Sequence, residues 1–207
     1  MEKVEILSFP IYRFYYDDVE DVYDAMIELK WIKNPNNWMW KEGPEGKNIL
    51  DIPSLSRLKD WMKQCLHEVK EDLNLTCDSL EIISSWANLN QQGDKFHNHS
   101  HPNSWISSNY YVSGEKETKT IFHAPNPYFD TIINPIIPTV DNIGRKNTNL
   151  NYEEETVPGK YIVFPSTMWH YAMINKDIKP RITIAANVFP SGNISCEGVS
   201  RLNIKVN

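Results

Sequence analysis

The spacing of apolar residues predicts two helices in the first third of the chain. Between residues 55 and 73, apolar side chains recur at steps of three and four, which is the period of an amphipathic helix that packs one face against a sheet. Ser54 is predicted to cap this helix, because serine side chains accept hydrogen bonds from the first unpaired amides. A second helical spacing covers residues 18–32, with Asp17 or Asp18 as its cap.

Short apolar segments without helical spacing predict that the rest of the chain is built mainly from strands. They are rich in β-branched and aromatic residues and are separated by turn residues, a pattern typical of a β-sandwich or jelly roll. An N-terminal strand is predicted at residues 4–16, interrupted at Pro10. The later strands are predicted at residues 80–88, 105–112, 118–123, 160–164, 168–174 and 181–189.

Two stretches interrupt this pattern and are predicted to be loops. Residues 33–53 contain several prolines and glycines. Residues 124–158 contain five prolines and many asparagines, with only short apolar pieces between them. Loops this long inside a domain often cover a binding site, so this second segment is either a lid over a substrate or a surface insertion.

Length and composition favour one mainly β domain with flanking α-helices. The 207 residues, 41% of them hydrophobic and 23% charged, are enough to bury one sizeable core. We expect a single domain over residues 1–207. Within it we expect an N-terminal strand and supporting helices at 1–79, a jelly-roll core at 80–189, and a tail at 190–207 with weak strand character.

Charge and segment composition argue against several classes of partner. The formal net charge of -6 is unlike the basic surface of a nucleic-acid-binding protein. No apolar run approaches the roughly 20 residues of a membrane span, and the first residues lack the apolar centre of a signal peptide. Three widely spaced cysteines indicate no disulfide framework. We therefore expect a cytoplasmic protein with no nucleic-acid or membrane partner, and no pattern indicates its oligomeric state.

Histidines are concentrated in one short run, F-H-N-H-S-H-P. The chain has six histidines, and three of them are His97, His99 and His101 in this run; His170 follows in F-P-S-T-M-W-H. Alternate residues of a strand share one face, so neighbours two apart in the run can bind one metal. The pair is either His97 with His99 or His99 with His101, and His170 is the third ligand. His123 is predicted to be a hydrogen-bonded core residue.

The last strong strand, R-I-T-I-A-A-N-V-F, predicts a buried cation. It is apolar except at Arg181, Thr183 and Asn187, and the first two share one face. A guanidinium directed into a barrel needs an anionic partner, and arginine is suited to two-pronged recognition of a carboxylate. The partner is either a bound carboxylate ligand or a local carboxylate at the edge of the strand.

Four segments between about Trp86 and Phe189 resemble, in this order, the iron(II)- and 2-oxoglutarate-dependent oxygenases, and most closely the small bacterial and phage branch related to prolyl hydroxylases. They are W-A-N-L-N-Q-Q-G-D-K-F-H-N-H-S-H-P-N-S, S-S-N-Y-Y-V, G-K-Y-I-V-F-P-S-T-M-W-H and P-R-I-T-I-A-A-N-V-F. The resemblance implies a double-stranded β-helix with the helices outside the larger sheet. It also implies hydroxylation of an unidentified protein side chain or small molecule with iron(II), 2-oxoglutarate and dioxygen.

The resemblance assigns the metal ligands as well. It implies that His99 is the first ligand and His170 the last, at a site with open positions for the co-substrate and dioxygen. Most of the superfamily has an aspartate or glutamate where His101 stands, so the chain departs from the pattern at the middle ligand. An imidazole there leaves the metal centre one charge more positive, while 2-oxoglutarate itself brings two negative charges. His97 would then lie behind the ligands or on the substrate side.

For the co-substrate, the resemblance implies that Arg181 clasps the distal carboxylate of 2-oxoglutarate. Thr183 would assist, together with Tyr111 or Tyr110, of which Tyr111 is preferred. Three residues of the first segment are expected to line the pocket: Trp86, Asn88 and Asn90.

Two other functions remain open from the residues. One is a cupin-like three-histidine metal protein that uses no 2-oxoglutarate, and the other is a non-catalytic jelly-roll module that binds a partner. Only the oxygenase requires Arg181 to point into the barrel beside the metal. Only the binding module would keep its function when His99 or His170 is replaced.

Overall fold

A long strand, β10 (Arg181–Ile194), lies at the centre of the protein. In the computed structural model it pairs along one edge with β4 (Ser79–Asn90) and along the other with β5 (Ile106–Ser113), both antiparallel. Its nearly continuous apolar sequence suits a strand that is covered on both faces. The structure describes residues 10–34, 37–40, 48–123, 151–194 and 202–206.

The described strands form two antiparallel sheets. The larger sheet has the order β1-β8-β5-β10-β4-β3-β2, with β11 paired to the end of β10, and the smaller sheet has the order β7-β6-β9. The predicted jelly roll, mainly β with flanking helices, is confirmed. The other elements are β1 (Tyr12–Tyr15), α1 (Val19–Ile27), β2 (Ile32–Lys33), β3 (Trp38–Trp40), α2 (Ser56–Asp72), β6 (Thr120–His123), β7 (Asn151–Glu154), β8 (Lys160–Pro165), β9 (His170–Ala172) and β11 (Leu202–Ile204).

Alternate residues of the larger sheet pack into two different cores, because successive side chains of a strand point to opposite faces. On what we call the helix side, Tyr110, Tyr161 and Ile184 pack in one cluster with residues of α2. What we call the barrel side is the face towards a second, smaller cluster. Its members are Tyr111, Phe122, Ile162, Phe164 and Met168.

Helix α2 covers the helix side with the predicted apolar stripe. Leu66 extends the stripe and is fully buried, whereas Leu73 follows the last helical residue and is 36% exposed, so the prediction was wrong there. His67 lies off the stripe and is exposed. Neither helix in the described part of the chain has the length and apolar character that a membrane span requires. The buried members of the predicted stripe are Leu55, Leu58, Met62, Cys65 and Val69.

The predicted helix caps are wrong. Asp18 precedes α1, but its side chain makes no capping hydrogen bond, and the amide of Val19 donates to the backbone oxygen of Asp17 at 2.9 Å. Ser54 lies inside a short 3₁₀ turn, Pro53–Leu55, that leads directly into α2. In both cases the backbone of the preceding turn takes the place of a polar side-chain cap.

The first predicted loop and the tail contain regular structure. Within residues 33–53, Trp38–Trp40 forms β3 beside β4, and Ile49–Asp51 forms a 3₁₀ turn. In the tail, β10 continues to Ile194 and pairs with β11. These strands are stabilised by pairing with segments distant in sequence, and the local pattern of turn residues does not reveal that pairing.

The second predicted loop contains a strand near its C-terminal end. Residues 151–154 form β7, which pairs with β6, so the prediction of a loop throughout 124–158 is wrong at its C-terminal end. Residues 124–150 lie outside the described residues, and the role of this segment as a substrate lid stays a prediction. The N-terminal prediction, a strand over 4–16, corresponds to β1 at its end, while residues 1–9 also lie outside the described residues.

Candidate active site

A backbone bridge joins the histidine run to β9. The amide of His99 donates to the carbonyl of His170 at 3.0 Å, and the amide of His170 donates back to His99 at 2.8 Å. Two residues further on, the amide of His101 donates to the carbonyl of Ser166 at 3.0 Å. The run forms no regular strand beyond this single bridge, yet these bonds hold both segments side by side.

Three imidazoles converge at this bridge. The donor atoms of His99, His101 and His170 all lie within 4.8 Å of one another. The Nδ1 atoms of His99 and His170 each lie 2.9 Å from a backbone carbonyl, of His97 and Met168 respectively. Because a carbonyl oxygen only accepts hydrogen bonds, these Nδ1 atoms carry the proton, and each Nε2 keeps a free lone pair. Metal-binding histidines usually have this arrangement.

Burial keeps the three imidazoles neutral. Loss of solvation, reinforced by the neighbouring histidines, lowers the pKa of His101 to about 4 and that of His170 to about 3. Burial also lowers the pKa of His99. The rings of Phe122 and Phe164 contribute to this desolvation, with centroids 5.6 and 4.9 Å from that of His170. Neutral imidazole is the form that binds metal, so this donor set fits a divalent transition metal such as iron(II).

His97 and His123 are not part of this cluster. His97 is exposed, and its ring stacks on Phe96 with a centroid distance of 4.9 Å. His123 is half-buried, with its ring 5.7 Å from that of Tyr171. The geometry therefore favours His99 with His101 over the alternative pair, and the assignment of these residues as metal ligands stays a prediction.

The second part of the site is the cation of Arg181, which is 4% exposed. Its Nε donates to Thr156 Oγ1 at 3.2 Å, and a terminal nitrogen donates to Thr120 Oγ1 at 2.8 Å. The guanidinium carbon lies 5.3 Å from the centre of the Tyr111 ring. Burial lowers the pKa of Arg181, but an arginine stays charged in proteins.

No carboxylate among the described residues forms an ion pair with Arg181. The alternative of a local carboxylate at the strand edge is therefore wrong within this part of the chain. Among the described residues the guanidinium is held by hydroxyl groups and an aromatic face, an environment that suits the binding of an anion.

The strand register places polar side chains beside Arg181 on the barrel side. Thr183 lies opposite Asn88 on β4 and opposite Tyr111 on β5, while Arg181 lies opposite Asn90. Thr183 is 3% exposed and Asn88 7% exposed, so neither is a surface residue. The predicted group of co-substrate residues is thus brought together, with one exception.

That exception is Tyr110. It is fully buried on the helix side, where its ring lies 6.3 Å from that of Tyr16. Burial raises the pKa of its hydroxyl. The prediction that Tyr110 assists co-substrate binding is wrong, because it and Tyr111 are adjacent in one strand and point to opposite faces.

Asn90 has an unusual environment. It is 1% exposed, and neither its side-chain nitrogen nor its side-chain oxygen has a hydrogen-bond partner among the described residues. The nearby Asn88 differs, since its side-chain oxygen accepts a hydrogen bond from the side-chain nitrogen of Asn37 at 3.2 Å. Leaving a buried amide unpaired costs free energy, so a polar group of a ligand is the partner this geometry calls for.

Sequence reasoning missed Thr120 and Thr156, the two hydroxyl partners of Arg181. Thr120 begins β6 and Thr156 follows β7, far from β10 in sequence. Only the packing of distant segments places them at the guanidinium, and a threonine in a strand carries no local signal of such a role.

The histidine cluster and Arg181 line one cavity. Its wall is mixed, with aromatic rings on one part and amide and hydroxyl groups on another. The lining residues are Trp86, Asn88, Asn90, Phe96, His99, His101, Ser108, Asn109, Thr120, Phe164, His170, Ala172, Arg181, Thr183 and Ala185.

Comparison with known proteins gives both a family and a fold. Residues 84–187, about half of the chain, match the family model of 2OG-Fe(II) oxygenases. No curated protein sequence is significantly similar to the chain.

Several solved structures are similar at low sequence identity. A prolyl-4-hydroxylase from Pseudomonas putida is 11% identical, with a TM-score of 0.58 over 89% of this chain and 95% of that one. HygX from Streptomyces hygroscopicus, crystallised with nickel, 2-oxoglutarate and hygromycin B, is 11% identical, with a TM-score of 0.61 over 88% and 82%. The epimerase SnoN from nogalamycin biosynthesis is 9% identical, with a TM-score of 0.59 over 92% and 80%. These likenesses show a shared fold.

The family match covers the C-terminal part of β4 and includes the histidine run, β9 and the first half of β10, the three segments that supply the imidazoles and the buried guanidinium. The chain therefore belongs to the 2OG-Fe(II) oxygenase family and is an enzyme that uses iron(II) and 2-oxoglutarate.

Proposed function

We propose that this oxygenase hydroxylates an unidentified protein side chain or small molecule. The observation that carries the proposal is that three neutral imidazoles and a buried, carboxylate-free arginine line one cavity. The fold occurs both in a prolyl-4-hydroxylase and in a protein that binds hygromycin B, so it is compatible with either substrate class.

In this proposal His99, His101 and His170 hold the metal. The hydrogen bonds from two of their Nδ1 atoms to backbone carbonyls fix the rings, so that little ordering is needed when the metal binds. When bound, iron(II) supplies the dioxygen chemistry that no amino-acid side chain provides. The Phe122 and Phe164 rings keep water away from the His170 side of the site.

Arg181 and Thr183 hold the distal carboxylate of 2-oxoglutarate. A planar guanidinium donates two parallel hydrogen bonds to a carboxylate, which fixes both position and direction. Tyr111 keeps the guanidinium in place, because its hydroxyl donates at 2.8 Å to Thr120 Oγ1, the atom that also accepts from Arg181. Asn90 offers the unpaired amide that lies opposite Arg181 on the neighbouring strand.

The overall reaction balances with these components alone. One C–H bond of the substrate becomes C–OH, and 2-oxoglutarate loses carbon dioxide and becomes succinate. One atom of dioxygen enters the new hydroxyl and the other enters succinate. The electrons that dioxygen accepts come equally from the substrate carbon and from the keto acid.

Oxygen transfer to a product tests this function. The protein, iron(II) and 2-oxoglutarate are incubated under isotopically labelled dioxygen with candidate peptides and small molecules, and products are analysed by mass spectrometry. We expect a product that gains one labelled oxygen atom, with an equal amount of succinate. Succinate formation that no candidate increases, with no labelled product, would contradict the hydroxylase assignment for those compounds.

Membership of the 2OG-Fe(II) oxygenase family argues against the alternative of a cupin-like three-histidine protein that uses no 2-oxoglutarate. The imidazole of His101 in place of a carboxylate would suit that alternative, but Arg181 lines the same cavity, as a 2-oxoglutarate site requires.

A further inference from the structure

The described lining of the cavity carries positive charge and no negative charge. None of its described lining residues is an aspartate or glutamate, and no described carboxylate joins the three imidazoles as a potential ligand. An imidazole brings no negative charge, so before any ligand binds, nothing in the described lining offsets the charge of Arg181.

The nearest buried carboxylate is already engaged. Glu154 is 2% exposed, and its Oε1 lies 2.5 Å from the ammonium of Lys160, while its Oε2 lies 3.0 Å from Arg13. Burial alone would raise the pKa of Glu154, but the hydrogen bonds and charges of these two cations outweigh it and lower the pKa. Its negative charge is thus shared between two cations and does not offset Arg181.

Both Lys160 and Arg181 contact one aromatic ring. The Lys160 ammonium lies 5.6 Å and the Arg181 guanidinium carbon 5.3 Å from the centre of the Tyr111 ring. The interior of the barrel around Tyr111 is therefore short of negative charge, and a divalent cation added at the histidine cluster makes this imbalance larger. Because the region is buried, solvent screens these charges only weakly.

We propose that His101 makes metal binding depend on the anionic co-substrate. This inference rests on the proposed function, because it takes the three histidines as metal ligands and Arg181 as the site of the 2-oxoglutarate carboxylate. The metal alone would share the cavity with Arg181 and no negative group. The dianion 2-oxoglutarate offsets both, so each ligand strengthens the binding of the other by the same factor.

A carboxylate at position 101 would change both binding steps. It would offset part of the metal's charge, so the metal would bind well without the co-substrate. It would also oppose the dianion in the metal-free protein. With His101, in contrast, 2-oxoglutarate meets an attractive charge and no repulsive one, so it can bind before the metal.

Calorimetric titration with manganese(II), an oxygen-stable stand-in for iron(II), tests the inference. The full-length protein is titrated with and without saturating 2-oxoglutarate. We expect the metal Kd to fall at least about tenfold when 2-oxoglutarate is present, within the roughly 5- to 150-fold range of coupled sites. Glutarate, which has both carboxylates but no keto group, separates the effect of charge from that of chelation and is expected to give a smaller coupling of the same sign.

Two variants provide the decisive comparison. His101→Asp is expected to bind manganese(II) more tightly than the wild type without 2-oxoglutarate, and to show a smaller coupling factor. Arg181→Gln is expected to bind manganese(II) alone more tightly, by on the order of tenfold, because a repulsive charge is removed. A purely structural role for either residue predicts weaker metal binding on substitution, so the sign of the change separates the two explanations.

The inference is overturned if the wild-type metal Kd is the same with and without 2-oxoglutarate, or if neither variant tightens metal binding alone. Its failure differs from failure of the proposed function. Labelled product formed without any coupling would contradict the inference alone. Coupling as described without any oxygenated product would contradict the hydroxylase proposal alone.

Discussion

The two faces of the larger sheet differ in their buried charge: one face is an apolar core, and the other holds a cation without a counter-charge among the described residues. On the helix side, β5 and β10 present Tyr110 and Ile184 to an apolar core that α2 closes. On the barrel side, the next residues along the same strands are Tyr111 and Thr183, which adjoin a guanidinium and a cavity. All four of these residues are buried, so burial alone does not separate a stabilising residue from a functional one.

The difference between the two faces lies in charge. The helix side gains free energy by removing apolar area from water, and each residue's neighbours are other side chains. Among the described residues, single unpaired polar groups occur on both faces, namely the side chain of Asn90 on the barrel side and the hydroxyls of Tyr110 and Tyr161 on the helix side. Only the barrel side also keeps the unneutralised charge of Arg181, which destabilises the empty protein. A buried charge without a counter-charge persists where a ligand completes it, which places function on this face.

The largest effect is expected from removing a metal ligand. His170→Ala should weaken metal binding by more than about 100-fold, beyond the 10- to 100-fold typical of residues that only orient a ligand. His67→Ala, at an exposed position on α2, is the matched control and should leave metal affinity unchanged. Calorimetric titration with manganese(II) measures both, and equal affinities for the two variants would contradict the assigned site.

The buried ion pair of Glu154 and Lys160 is expected to give the largest effect on stability, as distinct from ligand binding. Glu154→Gln leaves the ammonium of Lys160 buried without a counter-charge, which should lower the free energy of unfolding by about 3–5 kcal/mol. The neighbouring Glu153, whose side chain is 56% exposed beside Lys119, is the control, and Glu153→Gln should change it by less than about 1 kcal/mol. Urea unfolding near neutral pH compares the two variants.

The same pair has a pH dependence with a defined sign. Because the folded protein lowers the pKa of Glu154, the unfolded chain binds the proton first as the pH falls. The stabilisation is fully present above the ordinary carboxyl pKa of about 4.5 and is lost as the pH falls through the lower, folded-state value. The difference in unfolding free energy between wild type and Glu154→Gln should shrink over this acid range; a difference that grows there would contradict the pairing.

A substitution on the helix side should lower stability without changing ligand affinity, whereas His170→Ala should weaken metal binding. Leu66→Ala removes a fully buried side chain from α2 and should cost about 2–5 kcal/mol of stability while leaving the affinities for manganese(II) and 2-oxoglutarate unchanged in the folded protein. Leu73→Ala, at a 36% exposed position, should cost less. A change in ligand affinity caused by Leu66→Ala would mean that the two faces are not independent.

The smallest and most direct contrast is between the adjacent tyrosines. The buried hydroxyl of Tyr110 has no partner among the described residues, so Tyr110→Phe should not lower stability and should change 2-oxoglutarate affinity by less than about 0.5 kcal/mol. Tyr111→Phe removes a hydrogen bond that helps fix Thr120 and should weaken 2-oxoglutarate binding by about 1 kcal/mol, or severalfold. Equal affinities for 2-oxoglutarate would contradict the role given to Tyr111.

Residue patterns predicted the parts of the fold that depend on local spacing. The period of α2 and the alternation in β10 were visible because each reports which face of one element is buried. The short strands β3 and β7 were missed because they are stabilised by pairing with β4 and β6, partners distant in sequence. The predicted helix caps were wrong for a different reason, because backbone turns take the place of the polar side chains that commonly cap helices.

The residues of the candidate site also fall into two groups, those that local spacing predicts and those that only tertiary packing brings together. Arg181 and Thr183 could be identified from two polar positions on one face of an apolar strand, and the structure places both at the cavity. Thr120, in contrast, reaches the guanidinium only because the tertiary fold brings the start of β6 close to the start of β10. The choice between Tyr110 and Tyr111 depends on which of the two side chains points to the barrel side of β5. The spacing of residues does not decide this, because a shift of one residue in the register exchanges the two faces of the strand.

Succinate formation by the metal-loaded wild type and by Arg181→Ala is the most direct test that the histidine cluster and the arginine act as one site. The wild type should form succinate only when both iron(II) and 2-oxoglutarate are present. Arg181→Ala should bind metal and yet form almost no succinate at 2-oxoglutarate concentrations that saturate the wild type. A wild type that binds iron(II) but not 2-oxoglutarate, or an Arg181→Ala variant as active as the wild type, would contradict the account.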